Sequence, residues 1–203
     1  MKLLFLGDSI TGWSDLAKYM KFSDVIDCML EAYCGPGKVT VQNKGVGGNT
    51  SGQALARLAV DVLAAEPDVV VLLIGGNDRG VSNPLSGDET RQNLRQIITA
   101  LTQQGSRVLL LQYHLLPNPL HPQTAWKHLI DNNDIIAETA KEYSIPVLDM
   151  MAPMRAALAT QSFETLVNSE DGVHLSPGGE LVYAREIFSK LRGLGWLPPA
   201  MHD

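Results

Sequence analysis

Ser9, His174 and Asp171 are the residues of this chain whose types could together perform nucleophilic chemistry. A hydroxyl is a poor nucleophile near neutral pH and needs a base to take its proton. His174 is a candidate for that base. Asp171 stands three residues earlier with Gly172 between, so within one loop it can reach the other ring nitrogen, fix the tautomer and stabilise the imidazolium. Acyl transfer also needs donors for the oxygen that becomes negative. The backbone N–H of Ser9, the backbone N–H of Gly48 and the side-chain amide of Asn77 are candidates, each worth roughly a hundred- to a thousand-fold in rate. Gly48 suits the task because no Cβ blocks the approach of substrate to its amide. Imidazole ordinarily titrates near pH 6.5, so the rate is expected to fall as pH drops through about 6 to 7.

Such a set is useful only if the fold brings it together. Leu3-Leu4-Phe5-Leu6 reads as a strand buried on both faces, and Gly7 turns the chain into Asp8-Ser9. Asp8 or Ser9 could equally cap a following helix. Apolar spacing predicts that helix from Trp13, through Leu16, to about Tyr33. Val39 to Asn43 is a second strand leading into Gly45-Val46-Gly47-Gly48-Asn49-Thr50. A helix capped by Thr50 or Ser51 follows, as far as Pro67. The β-branched run Val69 to Ile74 leads into Gly75-Gly76-Asn77-Asp78-Arg79-Gly80. A third helix (about Glu89 to Gln103), a fourth strand (Val108 to Gln112) and a fourth helix (about Ala125 to Tyr143) come next. A short fifth strand, Ile145 to Leu148, precedes shorter helical pieces. Ser176-Pro177 then suits the start of a last helix through Leu191. Five alternations of strand and helix imply a parallel sheet with right-handed crossovers and helices on both faces. If the order is 2-1-3-4-5, the Ser9 turn lies between those of Gly48 and Asn77, at the carboxyl ends of the strands where such sheets bind ligands.

The chain has 203 residues, 45% of them hydrophobic and 19% charged, with a net charge of −6, and a pI near 5.3. It is long enough to bury a substantial core and reads as one domain over residues 1–203, with no repeat or linker. The acidic balance argues against nucleic-acid or anionic-membrane partners. The apolar run at the start ends too soon, at Asp8, for a signal peptide, and no stretch reaches the length of a membrane span. Cys28 and Cys34 lack metal-site spacing and read as reduced. The expected location is the cytoplasm, and the expected state a monomer or homodimer.

These residues resemble the SGNH hydrolases, also called the GDSL esterase/lipase family. Ser9 in Gly-Asp-Ser-Ile-Thr matches the first block, Gly48 in Gly-Val-Gly-Gly-Asn-Thr the second, and Asn77 in Gly-Gly-Asn-Asp the third. Asp171 and His174 in Asp-Gly-Val-His match the last. The blocks fall in the family's order between positions 7 and 174, with Ile10 where the name-giving motif has Leu. The resemblance implies a three-layer α/β/α, flavodoxin-like sandwich. It also implies hydrolysis of carboxylic esters or thioesters by a serine nucleophile, with no metal and no cofactor.

Other residues compete for roles. Asp149, after the fifth strand, is an alternative orienting carboxylate, although a loop contact suits it better. Asp8 and Asp78 read as structural acceptors for backbone N–H groups. Arg79 could meet an anionic substrate group or form a surface ion pair. Loops around positions 80–87 and 113–123 would wall the pocket: Tyr113 and His114 could meet a sugar or polar alcohol, and Leu115, Leu116 and Leu120 an acyl chain. These readings leave acetylated carbohydrate, lysophospholipid, thioester and small ester substrates all open. His114, His121 and His128 lack compact metal-ligand spacing. Trp196 and Leu197 either pack back onto the core or form a dimer contact. A different class, a nucleotide- or phosphate-binding module built on the glycine-rich turns, lacks both a Gly-x-Gly-x-x-Gly after the first strand and a P-loop lysine.

Overall fold

A computed structural model describes residues 1–12, 20–80, 84–116 and 126–201. Within them, five parallel strands stand in the order β2-β1-β3-β4-β5. These are β1 (Lys2–Gly7), β2 (Thr40–Gly45), β3 (Val69–Leu73), β4 (Arg107–Gln112) and β5 (Val147–Asp149). Leu3 to Leu6 and Val69 to Leu73 are at most 1% exposed, as expected of central strands covered on both faces. The order matches that expected from the sequence. Seven helices accompany the sheet among the described residues: α1 (Phe22–Cys34), α2 (Ser51–Asp61), α3 (Gly87–Gln103), α4 (Trp126–Tyr143), α5 (Met151–Leu158), α6 (Phe163–Leu166) and α7 (Pro177–Gly193).

The sheet order decides which helices share a face. The step from β1 to β2 runs one way along the sheet, and every later step runs the other way. Right-handed crossovers therefore put α1 on one face and α2, α3 and α4 on the opposite face. The packing agrees: α2 contacts α3 and α3 contacts α4, whereas α1 packs against α7, which also meets α5 and α6. Trp196 and Leu197 return to the core, partly buried against it, and the Arg107 guanidinium lies 5.4 Å from the Trp196 ring centroid.

Local chemistry explains where elements begin and end. The Thr50 hydroxyl accepts the N–H of Gln53 to start α2, and the Ser86 hydroxyl accepts that of Glu89 to start α3. Each such cap is worth about 1 kcal/mol. The helix expected from Trp13 begins instead at Phe22. There the backbone N–H of Lys21 is taken by Asp24 and that of Phe22 by Glu180 of α7. Residues 13–19 lie outside the described part. The fifth strand starts two residues later than expected, because the N–H of Ile145 closes α4 on the carbonyl of Ala140. No helix among the described residues is long and apolar enough to cross a membrane.

Candidate active site

The turn after β1 is drawn tight by hydrogen bonds and by glycine. The N–H of Gly12 donates to the carbonyl of Asp8 at 2.8 Å. A Cβ on Gly12 would fall 2.4 Å from the carbonyl oxygen of Gly45, and one on Gly7 would fall 2.6 Å from that of Leu73. Backbone therefore touches backbone where the Ser9 turn crosses the ends of β2 and β3. Asp8 points inward and is 2% exposed. Its Oδ1 accepts the N–H of Ile10 at 3.0 Å, and its Oδ2 accepts the Tyr113 hydroxyl. Burial raises the Asp8 pKa to about 6, against the lowering pull of those two donors.

The last block forms a closed loop. The N–H of Asn168 donates to the His174 carbonyl, and that of Gly172 donates to the Asn168 carbonyl, both at 2.7 Å. Gly172 has φ +69°, a conformation open to glycine. Asp171 Oδ1 then accepts the backbone N–H groups of Val173 (2.7 Å) and His174 (2.9 Å). Its Oδ2 lies 2.9 Å from His174 Nδ1. Burial pushes the Asp171 carboxyl upward. The His174 ring and the two backbone donors outweigh it and leave the pKa below its usual value. An ionised Asp171 makes Nδ1 the protonated ring nitrogen, so Nε2 is an acceptor. Ser9 Oγ stands 2.8 Å from that Nε2.

The turns after β2 and β3 stand on either side of the Ser9 turn, since those strands flank β1. Gly48 has φ +75°, and nothing lies within 4 Å of where its Cβ would be. Asn77 Nδ2 donates to the carbonyl of Asn49 at 3.1 Å. An amide carries two N–H bonds, and among the described residues this contact orients Asn77 and engages one of them. Asp78, 1% exposed, accepts the Ser51 N–H (2.7 Å), the Thr90 hydroxyl (2.7 Å) and the Ser51 hydroxyl. It thereby ties the turn after β3 to α2 and α3.

The other sequence candidates have inward or lateral partners. Tyr113, besides its bond to Asp8, accepts the N–H of Gly76 at 2.9 Å. It thus bridges the Ser9 and Asn77 turns from below. His114 is 2% exposed, and its Nδ1 lies 2.7 Å from the Tyr183 hydroxyl. Burial lowers the His114 pKa to about 4, with the backbone of Val173 pulling the other way. Arg79 pairs with Asp131 at 2.7 Å. Asp149 accepts the Met151 N–H at 2.7 Å, a loop contact at the start of α5. Leu115 and Leu116 are buried in the core. Leu120, His121 and the His128 side chain lie outside the described residues, as do parts of both expected pocket loops. Two further residues that shape the site stand in none of the sequence motifs: Gly12, whose partner Gly45 lies in β2, and Arg57, which reaches Asn49 and Gly7. The one local signal at Arg57 is Asp61, four residues on.

Comparison with known proteins agrees with this architecture. The GDSL-like lipase/acylhydrolase family profile matches residues 5–181. The chain belongs to that family. An acetylxylan esterase from Geobacillus stearothermophilus is 26% identical over 97% of this chain and 95% of its own length. Its crystal structure superposes with a TM-score of 0.79 over 97% of this chain and 96% of that one. The thioesterase 1/protease 1/lysophospholipase L1 of Escherichia coli K12 is 28% identical over 72% of this chain and 64% of its own. An arylesterase from Vibrio mimicus is 31% identical over 58% of this chain and 56% of its own. Like these relatives, this member of the family is a carboxylic ester hydrolase of the GDSL/SGNH type.

Proposed function

We propose that the protein is a serine esterase acting through an acyl-enzyme, with Ser9, His174 and Asp171 as its triad. The observation that carries this reading is the continuous path from Asp171 Oδ2 to His174 Nδ1 at 2.9 Å and from His174 Nε2 to Ser9 Oγ at 2.8 Å. Ser9 Oγ attacks the acyl carbonyl while Nε2 takes its proton, and Asp171 stabilises the resulting imidazolium. The carbonyl oxygen gains the negative charge, and the N–H groups of Ser9 and Gly48 and the second amide N–H of Asn77 receive it. The tetrahedral adduct collapses, breaking the bond to the alcohol oxygen, which leaves with the proton from Nε2. Water then gives its proton to Nε2 and attacks the acyl-enzyme, releasing the acid and restoring Ser9.

The open space at Gly48 supports this use, since a backbone donor there meets substrate without a side chain in the way. The first substrates to assay are acetyl esters of carbohydrates, because the acetylxylan esterase matches this chain along nearly its full length. Longer acyl esters and thioesters are the comparison. The test is Ser9→Ala with a short-chain aryl ester, alongside a fluorophosphonate probe on the unaltered protein. Hydrolysis is expected to vanish while the circular dichroism spectrum is unchanged, and the probe is expected to label Ser9. Undiminished turnover by the variant would refute the assignment.

A further inference from the structure

Arg57 of α2 carries a guanidinium with all three nitrogens engaged. Its Nε donates to Asn49 Oδ1 at 2.8 Å, and its Nη2 donates to the carbonyl of Gly7 at 3.1 Å. Its Nη1 pairs with Asp61 at 3.0 Å. The first two acceptors belong to different turns. Gly7 stands two residues before Ser9, and Asn49 directly follows Gly48. The same Gly7 carbonyl also accepts the N–H of Val46, at 3.0 Å, so the turn after β2 is joined to the turn after β1 at two points. Asn49 in turn offers its carbonyl to the Asn77 amide at 3.1 Å. One side chain therefore touches the backbone segment carrying Ser9 and, through Asn49, the segments carrying Gly48 and Asn77.

We propose that Arg57 is a positioning residue that sets the separation of the three oxyanion donors. The proposal rests on the reading of Ser9, Gly48 and Asn77 as those donors. A planar fork with several fixed N–H directions can hold a side-chain amide and a backbone carbonyl at once. An ammonium is a single point on a flexible stem and cannot hold both in one geometry. Asp61 fixes the third nitrogen, so the fork has a defined orientation before substrate arrives. The hole must match the oxygen of the tetrahedral adduct rather than that of the bound ester. Loss of the fork therefore acts on the chemical step more than on ester binding.

The test compares Arg57→Lys, Arg57→Ala, Asn49→Ala and the Arg57→Ala/Asn49→Ala pair on a short-chain aryl ester. The expectation for Arg57→Lys and Arg57→Ala is a drop in kcat of about 10- to 100-fold with KM nearly unchanged. Added guanidinium ion at millimolar concentration should restore part of the rate of Arg57→Ala, and methylammonium should not. The double variant should be hardly worse than either single one, since both break the same link. A kcat within twofold of the unaltered protein in both Arg57 variants overturns the proposal. So does a loss that follows the fall in Tm, moves KM equally and shows no guanidinium rescue. Ser9→Ala separates the two layers: activity surviving in it sinks the reading of Ser9 as the nucleophile. A dead Ser9→Ala beside a fully active Arg57→Ala sinks only the role of Arg57.

Discussion

Asp8 and His114 are ionisable side chains with inward-facing partners, and burial acts on them in opposite directions. Asp8 has its pKa raised from 3.8 to about 6 by burial, despite its bonds from Tyr113 and Ile10. His114 has its pKa lowered from 6.5 to about 4, again by burial. The signs follow from proton counts. Below pH 6 the folded protein holds a proton on Asp8 that the unfolded chain holds only below about 4, so Asp8 lowers stability as pH rises across that interval. His114 is neutral when folded down to pH 4 but charged in the unfolded chain below about 6.5, so it lowers stability as pH falls. Each shift corresponds to roughly 3 kcal/mol, and in the unaltered protein the two act in opposite directions. Single variants should unmask them. Between about pH 6.5 and about pH 4.5, Asp8→Asn should lose urea resistance relative to the unaltered protein and His114→Gln should gain it. Parallel curves for all three proteins would contradict this assignment.

At the level of elements, the turn after β1 and the end of β2 meet as backbone on backbone at Gly12, whereas Gly48, in the turn beyond β2, stands in open space. A methyl on Gly12 must displace the Gly45 carbonyl, which its Cβ would approach to 2.4 Å. A methyl on Gly48 meets no atom within 4 Å and costs only its left-handed conformation, φ +75°. Gly12→Ala should therefore cost about 1–3 kcal/mol, and Gly48→Ala about 1 kcal/mol. Thermal unfolding of the two variants checks the ranking, and a smaller Tm loss for Gly12→Ala would count against it. The same contrast shows what sequence could reveal. Runs such as Val69 to Ile74 identify central strands by composition alone, and clusters of glycine with aspartate or asparagine mark the turns at their ends. The proximity of Ser9, Asp171 and His174 was legible because each residue type needs the others. Gly12 was not legible, since its meaning depends on Gly45, thirty-three positions away. Nor was the start of α1, because helical periodicity continues upstream while the N–H groups at Lys21 and Phe22 find carboxylates. Tyr113 and His114 read as rim residues from their polar character. Asp8 and Tyr183 draw them inside. Arg57 looks like any solvated helix arginine until α2 is packed beside both turns.

Across the whole molecule, Ser9 and His174 are separated by 165 positions, and no strand joins them. β1 delivers the serine from the centre of the sheet, whereas the histidine arrives on the loop before α7. Their separation is thus governed by how α7 is seated, and α7 is seated against α1. In the apolar part of that contact, the Tyr183 ring lies 5.4 Å from that of Phe22 and the Phe188 ring 5.5 Å from that of Tyr33, centroid to centroid. Its polar part is an ion pair between Lys21 and Glu180 at 2.8 Å, with both side chains 2% exposed. Glu180 lies in the first turn of α7 and also accepts the backbone N–H of Phe22 at 2.7 Å. Burial raises its pKa, and the charge of Lys21 opposes the rise. A pair this dry costs much of its attraction in lost hydration, so its removal as a unit differs from the removal of one partner. Glu180→Gln leaves the Lys21 ammonium buried without a counter-charge and should destabilise the fold by about 3–5 kcal/mol. Lys21→Met combined with Glu180→Leu removes both charges and should recover most of that stability. Because α7 carries the histidine loop, ester hydrolysis by Glu180→Gln should disappear at a lower urea concentration than in the unaltered protein, and the double variant should restore the midpoint. Equal midpoints for Glu180→Gln and the unaltered protein would show that the apolar face of α7 alone holds His174 over Ser9.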